Sequence, residues 1–410
     1  MLRVLVAGGG IGGLTAALHL SRAGHDVEVF EAAPEIRELG LGVNIQAHGV
    51  RDLAAVGLLE AVKSNSCPVS ELSYYNKHGQ KLWAEPRGIA AGYAYPQAAV
   101  NRGRLQGLLL EAVVAAIGRD RVHAGHRIVD VSQDDAGVVV HIAGPDGTPL
   151  KTVAGDVLVG ADGIHSAIRR KFYPDEGLPV FGGQIMWRGI ARAKPFLGGR
   201  AMIMAGHRDQ KIVAYPVDPD VGPDGLININ WVAEDTLDDK MPPREDWNKQ
   251  ASVTDVAARF TNWRFSWLDV PALIAAAPLC YEFPKVDRDP IPRWSFGRVA
   301  LLGDAAHPMH PAGSNGATQA IVDAPALAEA LSRYPDPSAA LQAYEAERRP
   351  PIVELVRINR EQMGPESVMI LAEQRAPDGF KDVLDVLTAD ELEQASRAYR
   401  TASGAERARR

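Results

Sequence analysis

Six residues near the amino terminus constrain this chain more than any others. Gly8-Gly9-Gly10-Ile11-Gly12-Gly13 fits the spacing G-x-G-x-x-G. It lies between a short β-branched-rich run, Leu2 to Ala7, and a segment of helical character, Ile11 to Ala23. Gly24 reads as the helix stop, and Val27 to Glu31 as a second strand. Strand, glycine turn, helix and strand in that order predict the first unit of a Rossmann-like α/β sheet. Gly8 permits the tight turn, Gly10 lacks the Cβ that would block a pyrophosphate, and Gly13 lets the helix approach the strand, with Gly12 between them. The helix N-terminus then aims its free N–H groups at phosphates. Glu31 stands 31 − 8 = 23 positions after Gly8, where a carboxylate takes ribose hydroxyls and disfavours a 2′-phosphate. A dinucleotide is implied, and this half of the chain fits FAD and NAD alike.

Composition narrows the rest. The 410 residues carry 44 Lys+Arg against 51 Asp+Glu, a net charge of −7, so the basic footprint of a nucleic-acid binder is missing. With 46% apolar and 23% charged residues, the chain has too much core-forming material to be disordered. Cys67 and Cys280 are too few for a disulfide framework or a four-Cys zinc site, and fit a reducing compartment. The apolar stretch Met1 to Leu20 is broken by glycines and runs into a strand, unlike a signal peptide. No other stretch approaches 18 uninterrupted apolar residues, so no membrane span and a cytoplasmic location are expected. No His, Cys and carboxylate set has metal-ligand spacing.

Arg104 to Ile117 reads as a helix, Val138 to Ile142 as a strand, and Asp156 to Gly160 as a buried strand ending in a glycine corner. Residues 181–234 change character, with short antiparallel-looking runs separated by turns such as Gly222-Pro223-Asp224-Gly225. Residues 235–278 look helical and carry Trp247, Trp263 and Trp267. Val299 to Asp304 returns to the strand-then-corner pattern, and residues from Pro337 onward look helical up to a frayed basic tail. The reading is a discontinuous nucleotide-binding domain (1–70, 98–178 and 290–350), an inserted β-sheet domain (71–97 and 179–289) and C-terminal helices (351–410).

Two later segments repeat the motif of a carboxylate at a strand-end corner. One is Gly160-Ala161-Asp162-Gly163. The other is Gly303-Asp304-Ala305-Ala306-His307-Pro308, followed by Pro311-Ala312-Gly313-Ser314-Asn315-Gly316-Ala317 at a helix start. Glycine fingerprint, "DG" and "GD" motifs in this order resemble the single-component FAD-dependent aromatic hydroxylases of the para-hydroxybenzoate and salicylate hydroxylase type, over residues 2 to 350. Within that family the chain is most similar to the phenazine-1-carboxylate monooxygenases, through Leu41 to Gln46, Glu85-Pro86-Arg87-Gly88, Met186-Trp187-Arg188-Gly189 and Asp287-Arg288-Asp289-Pro290.

The resemblance implies a glutathione-reductase-like FAD domain with an inserted antiparallel sheet and a helical tail. Asp304 would bind the ribityl chain of FAD. Pro311, Gly313, Asn315, Gly316 and Ala317 would lie along the isoalloxazine, with Gly42 and Val43 on its other side. Asp162 would sit near the pyrophosphate, Arg104 would contact FAD, and Ala32 and Ile128 would add further contacts. Taken singly, Asp162 and Asp304 read equally as helix N-caps and Arg104 as a surface charge. No second glycine fingerprint follows Asp162, so NADH or NADPH would dock transiently on the face of the FAD domain. The implied reaction passes through a flavin C4a-hydroperoxide to a small aromatic or heteroaromatic ring, carboxylated by preference, with loss of CO2 where the attacked carbon bears the carboxylate. Oxygen, NAD(P)H and the aromatic compound would be the partners of a monomer or homodimer.

Oxygen transfer needs a dry cavity. Met186, Trp187, Met202, Met204, Val213, Tyr215 and Trp231 are the expected walls. Arg188 is a candidate for a substrate carboxylate, and Tyr215, Gln46 and His48 are the other catalytic candidates. His307 and His310 flank Pro308 and read either as phenol bases or as structural hydrogen-bonders. The alternative to hydroxylation is an FAD-dependent oxidoreductase on the same scaffold without oxygen transfer.

Overall fold

The computed structural model describes residues 1–36, 40–236, 249–311, 313–361 and 366–402. Trp247, Ala312 and the basic tail Glu406 to Arg410 lie outside the described residues. The fingerprint unit forms as β1 (Arg3–Ala7), α1 (Ile11–Arg22) and β2 (Asp26–Glu31), with β1 and β2 parallel. Val4 to Ala7 are all buried, the continuous apolar run that a parallel strand covered on both faces needs. Gly24 ends the helix at φ +87°, its N–H donating to the Ser21 carbonyl.

Strand pairing brings remote segments together. The six-stranded sheet runs Ser295–Phe296, Val299–Leu301, Val157–Gly160, β1, β2, Val122–Ala124. Val157–Gly160 lies parallel to β1 with Ala7 opposite Gly160, and parallel to Val299–Leu301 with Gly160 opposite Leu301. The three glycine-bearing corners that follow Ala7, Gly160 and Leu302 therefore open at the same edge, the carboxyl ends of the strands. The mixed α/β fold with separate sheets and a helical C-terminal region matches the architecture expected.

Alongside stand β3 (Gly42–Ile45) and α2 (Ala47–Ala55), with β3 antiparallel to Gln97–Asn101. An eight-stranded sheet runs Gln250–Ala251, Cys280–Asp287, Val180–Ala193, Ile227–Thr236, Gln210–Pro216, Ala201–Gly206, Glu71–Tyr75, Lys81–Pro86. It is antiparallel except where Ala201–Gly206 meets Glu71–Tyr75, a strand from far earlier in the chain. Among the described residues of the expected helical stretch 235–278 there are two short helices, Val253–Arg259 and Val270–Ala275. Ser252 and Asp269 each cap a fresh start, and between the helices Phe260, Trp263 and Phe265 turn inward as core. Among the described residues, no helix is long and apolar enough to cross a membrane.

The helical tail covers one face of the large sheet. Val368, Met369 and Ala372 pack in one cluster with Met202, Met204, Val213 and Tyr215. An ion-pair set fastens the edge: Lys211 Nζ lies 3.3 Å from Glu234 and 2.5 Å from Glu366, and Lys285 Nζ lies 3.0 Å from Glu234. Burial alone would raise the Glu234 carboxyl, but the two lysines overcome it and hold it at about 2.

Candidate cofactor and substrate site

At the first corner each glycine has a distinct reason. Gly8 has φ +110°, and a Cβ there would stand 2.3 Å from the Ala161 carbonyl oxygen. A Cβ on Gly13 would stand 2.0 Å from the Gly8 oxygen, and one on Gly12 3.0 Å from Leu302 Cδ2. Gly10 differs, because no atom lies within 4 Å of its Cβ position. Space in front of Gly10 is thus not used for packing, and the helix start behind it has no side-chain cap. A pyrophosphate fits that opening. Glu31 is fixed at the end of β2, its carboxylate accepting from Gly9 N–H at 2.6 Å and Ala33 N–H at 2.7 Å, while neighbouring Ala32 is exposed.

The second corner turns on Asp162. Its Oδ2 accepts from the Ala167 N–H at 2.7 Å, so it caps the following helical turn, the plainer of its two readings. Its Oδ1 is buried with no partner, and burial pushes the carboxyl up. A group that carries a hydrogen-bond donor fits there.

At the third corner Gly303 has φ +60° and Asp304 is exposed. A Cβ on Gly316 would stand 4.0 Å from Asp304 Oδ1, which places the carboxylate beside the start of the helix Gly316–Arg333. Gly313 and Ser314 both have left-handed φ, +59° and +63°, so the backbone turns sharply before Asn315, Gly316 and Ala317. Pro311 is exposed. Gln46 Nε2 donates to the Gly313 carbonyl at 2.8 Å and lies 3.1 Å from Asn315 Oδ1. The Gln46 amide nitrogen is therefore tied to the loop that the resemblance places along the flavin.

Two residues that the resemblance places on FAD, Arg104 and Ile128, have other surroundings among the described residues. Arg104 Nε donates to Asn65 Oδ1 at 2.8 Å on the surface. Ile128 is buried in the apolar core. His307 Nε2 lies 2.7 Å from Asp323 Oδ2, its structural rather than its catalytic reading. Neither Asp323 nor Arg348 belongs to the motifs read from the sequence. Asp323 also accepts from Gly303 N–H at 3.1 Å and Arg348 Nε at 2.8 Å, and Arg348 donates to Gln319 at 2.7 Å. Burial alone would raise the Asp323 carboxyl, but His307 and Arg348 hold it at about 2. This network braces Gly303 and His307, the residues on either side of Asp304. His310 is half-buried, 3.6 Å from Asp287, and burial lowers its imidazole.

The expected wall divides by strand parity. Met204 opposes Val213, Tyr215 opposes Asn230, and Val232 opposes both Val213 and Arg188, so these side chains share one face with Met186 and Met202. Trp187 and Trp231 fall on the other face, in the cluster with Phe260 and Trp263, and are not site walls. Arg188 donates to the Gly42 carbonyl at 2.7 Å, and Asn230 Oδ1 accepts from Gly42 N–H at 2.7 Å. Tyr215 lies against both, and burial raises its phenol while Arg188 opposes the rise. The sheet face thus meets the predicted flavin-side segment Gly42-Val43 directly. Val43 itself packs against the core of the first domain.

His48 stands apart, at a cleft of about 260 Å³ lined with Gln46, Trp83, Arg87, Tyr93 and Gln97. Burial, with Arg51 and Arg348 nearby, lowers its imidazole to about 3, so it is neutral at ordinary pH, and its Nε2 has no partner.

A Rossmann-like edge with three glycine corners, facing a sheet with a buried arginine and tyrosine, defines a flavin-dependent oxidoreductase. Comparison with known proteins agrees. The FAD binding domain family matches residues 1–190 and 280–359. Phenazine 1,6-dicarboxylic acid hydroxylase of Lysobacter antibioticus is 44% identical over 364 residues, 87% of this chain and 89% of that protein. 3-Hydroxybenzoate 6-hydroxylase 1 of Aquipseudomonas alcaligenes is 31% identical over 360 residues, 84% of each chain. A salicylate hydroxylase substrate complex superposes with TM-score 0.75 at 24% identity, over 100% of this chain and 98% of that one, which supports the fold. The chain belongs to the FAD binding domain family and is an FAD-dependent aromatic monooxygenase.

Proposed function

We propose that the chain hydroxylates a carboxylated aromatic or heteroaromatic ring, using NADH or NADPH and O2. The observation that carries this is the meeting of Arg188 and Asn230 with Gly42, with Tyr215 against both, on the sheet face that carries Met202, Met204 and Val213. A buried arginine beside apolar side chains suits an acid on an otherwise apolar ring. The relatives support the substrate class, since a phenazine dicarboxylic acid and a hydroxybenzoate both bear carboxylates.

When bound, FAD would carry electrons from NAD(P)H to O2 and deliver one oxygen atom to the ring. The chain's own residues do the rest. Gly8, Gly10, Gly12, Gly13 and Glu31 would hold the adenosine and pyrophosphate half. Asp304, Pro311, Gly313, Asn315, Gly316 and Ala317 would hold the flavin half, with Gly42 and Val43 opposite. Asp162 would lie beside the pyrophosphate. Arg188 and Tyr215 would orient the ring, and the methionines with Val368 and Met369 would exclude water.

The test is a panel of phenazine, salicylate and hydroxypyridine carboxylates under 18O2. Stimulated NAD(P)H oxidation with one labelled oxygen in the product is expected. Oxidation that yields peroxide alone with every acid would favour an oxidoreductase without oxygen transfer.

A further inference from the structure

Gly42 is gripped at both its N–H and its carbonyl by the large sheet. The N–H donates to Asn230 Oδ1 and the carbonyl accepts from Arg188, each at 2.7 Å. The fit leaves no slack, since a Cβ on Gly42 would stand 2.6 Å from Asn230 Cβ and Cγ. Arg188 and Asn230 occupy the same face of adjacent antiparallel strands, with Asn230 opposite Ile190, two positions beyond Arg188. Tyr215 sits opposite Asn230 on the next strand.

Each gripping residue retains a second donor. Asn230 is fully buried, and neither its Nδ2 nor the buried Nε of Arg188 has a close hydrogen-bond partner, the Tyr215 hydroxyl being the polar group that lies against both residues. Buried donors are nearly always paired in folded proteins, so two orphans on neighbouring residues mark a place where a ligand supplies acceptors. A carboxylate has two oxygens, and one guanidinium N–H with one amide N–H offers a donor to each. The same pair repels nothing in an uncharged ring but holds it less firmly.

We propose that Arg188 and Asn230 form a two-sided clamp: one side holds Gly42 beside the flavin position, and the other binds the carboxylate of the aromatic substrate. This rests on the aromatic-acid reading above and adds Asn230 as a positioning residue. Because one guanidinium serves both sides, arrival of the acid changes how Gly42 is held. Occupancy of the substrate site is thereby transmitted to the flavin loop through two hydrogen bonds, without contact between ring and loop.

Asn230→Asp and Asn230→Ala separate the two sides. Asp keeps an acceptor for the Gly42 N–H but opposes the acid with a negative charge. Ala removes both contacts. FAD-loaded proteins are titrated with phenazine-1-carboxylate, and with phenazine as the acid-free control, while flavin absorbance is followed. FAD affinity and peroxide formed per NAD(P)H are measured in parallel. In the wild type, the acid should perturb the flavin spectrum. Asn230→Asp should retain FAD, weaken the acid roughly 10- to 100-fold and leave phenazine near its wild-type affinity. Asn230→Ala should in addition raise the peroxide yield. If the Ala variant fails to fold, the near-isosteric Asp variant still decides the matter. Equal binding of the acid by wild type and Asn230→Asp, or equal loss of acid and phenazine, would overturn the clamp. A yellow wild type that responds to none of the carboxylates would instead overturn the aromatic-acid reading itself.

Discussion

The cofactor edge and the substrate face are built on different principles. At the edge, backbone does the recognising: glycines clear space, the chain turns sharply and helix starts offer N–H groups. At the sheet face, side chains do it: Arg188 and Asn230 come from two strands and meet a glycine 146 and 188 residues away, with Tyr215 of a third strand against both. Backbone recognition depends on local spacing and tolerates change around it. Side-chain recognition depends on register, which a shift of one residue would invert. The first region should therefore fail through sterics and the second through lost contacts.

The largest effect expected is at Gly13. Gly13→Val places its Cβ where only about 2.0 Å separates it from the Gly8 oxygen, and should leave little folded protein by yield and thermal melting. Next is the brace beneath the third corner. Asp323→Ala would strand Arg348 and His307 in the core and should cost about 3–5 kcal/mol in denaturant unfolding. A variant as stable as wild type would show that the network does not support Asp304.

The substrate face should respond more gently. Tyr215→Phe removes one hydroxyl near Arg188 and Asn230, and should weaken an aromatic acid roughly tenfold with FAD retained. Unchanged acid affinity would take Tyr215 out of the site. The smallest effect concerns acidity. His48 has its pKa lowered from about 6.5 to about 3, so between those values the unfolded chain binds a proton that the folded one does not. Stability should fall as pH drops through that window, by up to about 1.4 kcal/mol per unit from this group. His48→Asn should flatten that part of the melting profile, and an unaltered slope would mean another group is responsible.

The same contrast explains what was legible in the sequence. The fingerprint and the two later corners could be read because each carries its geometry within a few residues. Their assembly could be anticipated, and parallel pairing of Ala7, Gly160 and Leu301 supplies it. Trp187 and Trp231 look like pocket walls in a linear text, yet pairing puts them behind the sheet. Asn230 gives no local signal, since its meaning lies in Gly42. Gln46 stands out by its position after Ile45, but the loop that takes its amide N–H lies 267 residues on. Asp323 sits in an ordinary helical stretch, and its burial among His307, Arg348 and Gly303 appears only after folding.

The central claim is that the three corners form one FAD cradle whose open spaces serve the cofactor. Apoprotein of the wild type, Gly10→Val and Asp304→Ala should be titrated with FAD, with melting of each apoprotein recorded alongside. The expected result is one FAD per wild-type chain, and severe loss of binding in both variants with apoprotein melting close to wild type, because Gly10 faces open space and Asp304 is exposed. Wild-type FAD affinity in either variant would contradict the cradle.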